Sequence, residues 1–77
     1  MQSKEGVRIR LQFGKHLRSL RKSADVTQFD LAARAKISVQ YLQNLEGKQP
    51  KNPSLETLAS LAKALDVPLY RLMQFEK

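Results

Sequence analysis

Between positions 38 and 46 the chain reads Ser-Val-Gln-Tyr-Leu-Gln-Asn-Leu-Glu, and three of its side chains, Gln40, Gln43 and Asn44, carry a primary amide. An amide holds a donor and an acceptor side by side, the pair needed to engage N6 and N7 of adenine together. A helix that merely faces water in so basic a chain is expected to carry Lys and Glu instead. The amides therefore favour reading of base edges, with a solvated polar face as the plain alternative. Val39 suits contact with a thymine methyl better than exposure to water, or else it packs beneath Tyr41. Tyr41 has two uses as well: its ring completes a core, or its hydroxyl donates to a phosphate, and partial burial satisfies both.

Other chemistries find little support. His16 is the only histidine, and no Asp, Glu, Cys or second His stands at chelating spacing from it, so an exposed helix position is expected rather than a ligand or a base. No nucleophile is spaced with a base. The chain is read as a non-enzyme that needs no metal and no cofactor. With no cysteine, disulfides and thiolate sites are excluded and a reducing compartment is allowed. The polar start and the lack of a long apolar run give no sign of a signal peptide or a membrane span, so a cytoplasmic location is the default.

Seventy-seven residues give room for one domain with one modest core and none for a cleft between layers. A composition 42% hydrophobic but only 6% aromatic, rich in Leu and Ala and without alternation, fits a helical bundle better than a sheet. The net charge of +7 is unevenly placed: residues 1–36 hold nine Lys/Arg against three Asp/Glu, whereas residues 54–77 hold three of each. That asymmetry suits a face that binds a polyanion, with solubility as the ordinary explanation.

The elements that must carry the amides follow from caps and spacing. Residues 1–6 read as a disordered lead-in to a single domain over 7–77. Val7, Ile9, Phe13, Leu17 and Leu20 predict a first helix over 7–23, with Gly14 either weakening it or allowing close packing. Arg8, Arg10, Lys15 and Arg18 lie on its other side, lining DNA phosphates or simply solvated. Asp25 ends this helix, since Asp tolerates the left-handed conformation. Thr27 caps a second helix over 28–35 and Ser38 a third, with Tyr41, Leu42 and Leu45 at helical spacing. Between them Lys36 is a point of strain if its φ is positive. A short turn between two helices gives the steep crossing that lays a second helix in a major groove. The stretch 47–53 is a basic loop. Ser54 caps a fourth helix with Leu55, Leu58, Ala59, Ala62 and Leu65 as its apolar stripe, and Pro68 opens a fifth over about 69–75 with Leu69, Leu72 and Phe75 facing the bundle.

Four blocks in this order, Phe13-Gly-Lys-His-Leu-Arg-Ser-Leu-Arg21, Thr27-Gln-x-x-Leu-Ala-x-x-Ala, Ile37-Ser-x-x-Tyr-Leu-x-x-Leu-Glu46 and Asn52-Pro-Ser-Leu-Glu-Thr-Leu58 with Ala62-Lys-Ala-Leu-Asp-Val67, resemble the phage-repressor-like, Xre-type helix-turn-helix family over roughly residues 8–75. The resemblance implies an all-α five-helix bundle with a lambda-repressor-like fold, usually a homodimer on double-stranded operator DNA, acting in transcription regulation as a repressor does. It implies further that Gln28 clamps a phosphate, that Val39, Gln40 and Asn44 read bases with Gln43 beside them, and that Arg21 pairs with Glu46. Lys36 and Asp25 stand where the family favours glycine. The glycine after Glu46 arrives one residue early, which leaves Lys48, Gln49, Lys51 and Asn52 as backbone contacts only by position. Leu69, Met73 and Phe75 offer more apolar surface than a small core needs and are the candidate dimer interface. The competing reading is a protein-interaction module of the same fold, an antitoxin or adaptor, with DNA binding secondary; a membrane-surface helix over 7–23 is a third.

Overall fold

The computed structural model describes residues 4–47 and 52–75. Five helices follow one another, α1 (Lys4–Ser23), α2 (Gln28–Ala35), α3 (Val39–Glu46), α4 (Leu55–Ala64) and α5 (Leu69–Leu72), with no strand among the described residues. The architecture is the all-α bundle. The first helix begins earlier than its apolar pattern suggests, so residues 4–6 are helical rather than part of a lead-in. Glu5 in the first turn complements the positive helix end, and a single Gly6 costs only about 1 kcal/mol against alanine. Residues 1–3 lie outside the described part.

Each middle helix is started by a hydroxyl. Thr27 Oγ1 accepts from the Asp30 amide at 3.0 Å, Ser38 Oγ from Tyr41 at 3.0 Å, and Ser54 Oγ from Thr57 at 3.1 Å, caps worth about 1 kcal/mol each. Three helices also stop in one way. Asp25, Lys36 and Asp66 have φ of 58°, 59° and 58°. The residue after each, Val26, Ile37 and Val67, returns its amide to the carbonyls of Arg21, Ala32 and Ala62 at 3.1, 3.0 and 3.0 Å. This is the six-to-one closure of a Schellman motif, completed by an apolar residue folded onto the core. The turn at Asp25 and the strain at Lys36 are expected from the sequence; at the fourth helix the expected stop is Val67-Pro68, and Asp66 takes the turn instead.

The core is built on Leu17, Leu31, Leu42, Leu45, Leu61 and Leu72, all fully buried, with Phe13, Val26, Ala32, Ala35, Leu58, Ala62 and Leu65 around them. On α4 the buried stripe is Leu58, Leu61, Ala62 and Leu65; Leu55 and Ala59, expected in it, are exposed. Both stripes obey helical spacing, and only the positions of α2 and α5 decide between them. The fifth helix is a single turn, shorter than expected, with Pro68 just ahead of it, and Leu69 is exposed rather than turned inward. Phe75 lies beyond the helix and packs edge-on against Phe13 at 6.4 Å between ring centroids.

Gly14 is a place where α1 needs glycine. A Cβ there would fall on the backbone carbonyl of Leu45, well inside contact distance, so α1, bare of a side chain at Gly14, meets the end of α3 backbone to backbone. Of the two uses open to Gly14, close packing is the one realised.

Candidate nucleic-acid interface

The connection from α2 to α3 is three residues, Lys36, Ile37 and Ser38. With Leu42 and Leu45 sealed in the core, α3 must turn its opposite side outward. Gln40 lies roughly opposite that seam and is exposed; Gln43, also exposed, and half-buried Asn44 flank it. Val39 and Tyr41 are half-buried and packed against the core, so each presents only part of its surface. The amides thus share one face, bordered by two residues that anchor it.

Behind this face lies a polar network. Arg21 donates from Nε to Glu46 Oε2 at 2.8 Å, from Nη2 to Glu46 Oε1 at 2.9 Å, and from Nη1 to the Val26 carbonyl at 3.1 Å. Gln28 Nε2 donates to the same Glu46 Oε1 at 3.0 Å. A carboxylate accepts only, so the amide nitrogen of Gln28, not its oxygen, must face it. The Glu46 side chain is only 3% exposed and that of Arg21 11%. The hydrogen bonds that Arg21 donates to Glu46 raise the Arg21 pKa above its ordinary value, outweighing the lowering effect of burial. Burial without a partner would be costly for either ion; together they satisfy one another.

A groove of about 320 Å³ opens at this network, lined by Arg18, Arg21, Gln28, Gln43, Glu46 and Gly47. It joins Gln28, expected to clamp a phosphate, to Gln43 on the outward face. Arg18, for which the sequence allows either phosphate contact or solvation, stands in the same groove, whereas Arg8 and Lys15 are simply exposed. Asn52 is exposed; Lys48, Gln49 and Lys51 lie outside the described residues.

One expectation needs correction. His16 is half-buried rather than exposed: its Nε2–H donates to the Arg71 carbonyl at 2.7 Å and its ring lies 5.8 Å from that of Phe75. It clips the chain around α5 onto α1, 55 residues away in sequence. Phe75 is half-buried beside Phe13 and His16, and of the three candidate dimer residues Leu69 and Met73 are the more exposed, at 42% and 48%. Tyr70, passed over in the sequence, is 65% exposed beside them. Among the described residues no group of His, Cys, Asp or Glu is placed to hold a metal, and no helix is long and apolar enough to cross a membrane.

A short turn between capped helices, with the second buried on one side and amide-bearing on the other, defines a helix-turn-helix protein. The helix-turn-helix family model matches residues 17–72, and the chain belongs to that family, in its Xre type, whose members are DNA-binding regulators. It is 43% identical over 58 residues to the HTH-type transcriptional regulator DdrOP3 of Deinococcus deserti; the match takes in 75% of this chain but only 44% of that protein. Among solved structures it is similar to the restriction-modification controller protein C.AhdI from Aeromonas hydrophila, with 33% identity, a TM-score of 0.78 and coverage of 82% of this chain and 94% of that one. It is similar also to SinR, a master regulator for biofilm formation solved in complex with DNA, with 27% identity, a TM-score of 0.75 and coverage of 80% and 98%.

Proposed function

We propose that this chain is a sequence-specific transcriptional regulator that binds a two-fold operator as a homodimer, with α3 in the major groove and half-sites roughly one helical turn apart. Gln40, Gln43 and Asn44 read base edges, and Val39 offers what it exposes to a thymine methyl. Gln28, Tyr41 and Asn52, together with Lys48, Gln49 and Lys51, contact phosphates. Leu69 and Met73, joined by Tyr70, form the dimer contact, with Phe75 supporting them from within the bundle. Residues 7–77 act as one domain, extended at the start by the turn of α1 from Lys4, and the operator as target places the protein in the cytoplasm.

The observation that carries this reading is the exposure of Gln40 on the side of α3 away from Leu42 and Leu45, in a chain of net charge +7. Selection of duplexes from random DNA, followed by titration of Gln40→Ala, tests it. The variant loses about 1–3 kcal/mol on selected sites and little on random DNA; equal loss on both would sink the base-reading role. The exposed Leu69, Tyr70 and Met73 favour a second reading, in which the same surface grips another protein as an antitoxin or adaptor does. A pull-down run beside a gel shift at physiological salt separates the two.

A further inference from the structure

We propose that, in the groove at the junction of α1, α2 and α3, Arg18 shares as a cation the DNA backbone phosphate assigned above to Gln28, and that Glu46 is the residue that positions Gln28 for it. This inference rests on the DNA-binding role proposed above and deepens it. Of the charged side chains lining the groove, Arg21 and Glu46 neutralise each other, so the net positive charge belongs to Arg18. Arg18 is exposed and has no hydrogen bond or ion pair among the described residues, leaving its planar fork of donors free for a phosphate. It stands three residues before Arg21, on the same face of α1.

The neighbouring carboxylate does not repel such a ligand strongly. Glu46 Oε1 already accepts from Arg21 Nη2 at 2.9 Å and Gln28 Nε2 at 3.0 Å, and its side chain is almost wholly buried. Gln28 has two amide hydrogens and gives one to Glu46, so its plane is fixed and its second N–H remains for an acceptor in the groove. Gln43 adds another amide at the edge shared with the base-reading face. Three side chains from three helices therefore present donors to one seat adjoining Gln40 and Asn44. Positioning by Glu46 makes the end of α3 the support of the clamp on α2.

The test measures affinity against salt for the whole chain on a selected and a random duplex. Arg18→Gln, an exposed change that leaves the fold intact, lowers the log–log salt slope by about 1 and weakens both duplexes by the same factor. Lys15→Gln, outside the groove, leaves the slope unchanged. The double variant Arg18→Gln/Gln28→Ala loses less than the product of the single losses, because both contacts serve one phosphate. In the free protein, NMR finds one side-chain amide proton of Gln28 protected from exchange, and duplex shifts the other. An unchanged slope for Arg18→Gln overturns the seat, and Gln28 amide protons that exchange as freely as those of Gln40 overturn the positioning role. Failure of the wild-type chain to bind any duplex overturns instead the DNA reading beneath both.

Discussion

Arg21 meets Glu46 side-on across 25 residues of sequence, two of its nitrogens on the two carboxylate oxygens at 2.8 and 2.9 Å, while its third holds the Val26 carbonyl. One guanidinium thus fastens α1 to the turn before α2 and to the last residue of α3. Arg21→Met leaves a buried carboxylate with Gln28 alone for company and is expected to cost about 3–5 kcal/mol in urea unfolding. Replacing both partners by apolar residues, Arg21→Met with Glu46→Leu, recovers most of that loss. A single-variant loss below about 1 kcal/mol would class the pair with exposed ones.

The same pair sets a pH expectation. The Arg21 pKa is raised, so its stabilisation is complete below the unfolded value and is lost only as pH climbs through the still higher folded value. The difference in unfolding free energy between wild type and Arg21→Met therefore stays constant between about pH 7 and pH 9. A decline across that range argues that another group carries the effect.

Gly14→Ala opposes two effects. Alanine gains about 1 kcal/mol of helix propensity, but its Cβ falls on the Leu45 carbonyl, and backbone cannot swing aside as a flexible side chain does. Overpacking of this kind costs about 1–3 kcal/mol, so a lower melting temperature is expected despite the better helix former. A rise in melting temperature would show that α1 can move away from α3.

Lys36 sits at φ 59°, where a side chain costs roughly 1–2 kcal/mol over glycine. Lys36→Gly recovers that cost less the extra freedom glycine gives the unfolded chain, for a net gain under about 1 kcal/mol. Lys36→Val, β-branched in the same conformation, destabilises. Calorimetry of the two variants should move in opposite directions; movement in the same direction would mean that the lysine side chain itself stabilises the turn.

His16→Ala removes the bond to the Arg71 carbonyl and the ring beside Phe75. A loss of about 1–2 kcal/mol is expected, concentrated at one end of the molecule. Hydrogen exchange reads it directly: amides at Met73 and Phe75 speed up, while those of α3 do not. Uniform acceleration would place His16 in the global core instead.

How far the sequence carries this structure depends on the range of each interaction. Thr27, Ser38 and Ser54 act within one turn of themselves, so a hydroxyl ahead of a periodic run was enough to find three helix starts. Asp25 and Lys36 are equally local. Spacing alone places Leu55 and Ala59 in the apolar stripe of α4 and omits Leu61, because two stripes share the same spacing and neighbours choose between them. His16 had no readable partner, since it binds a backbone carbonyl 55 residues away, which no residue type announces. The Gln28–Glu46 bond is similar: each residue suggests a role, but their meeting follows from how α2 and α3 cross. The groove at Arg18 appears only once three helices are assembled.

The double attachment of α3 to α1, backbone against Gly14 and carboxylate against Arg21, has a thermodynamic consequence. A helix held so firmly cannot reorient to suit its target, and on the proposed operator it acts as a stamp with a fixed profile. The disorder surrendered there is confined to the tips of Gln40, Gln43 and Asn44, about 0.5–1.5 kcal/mol for each side chain stilled. A duplex whose groove departs from that profile must deform to fit, so the cost of a poor site falls on the DNA rather than on the protein.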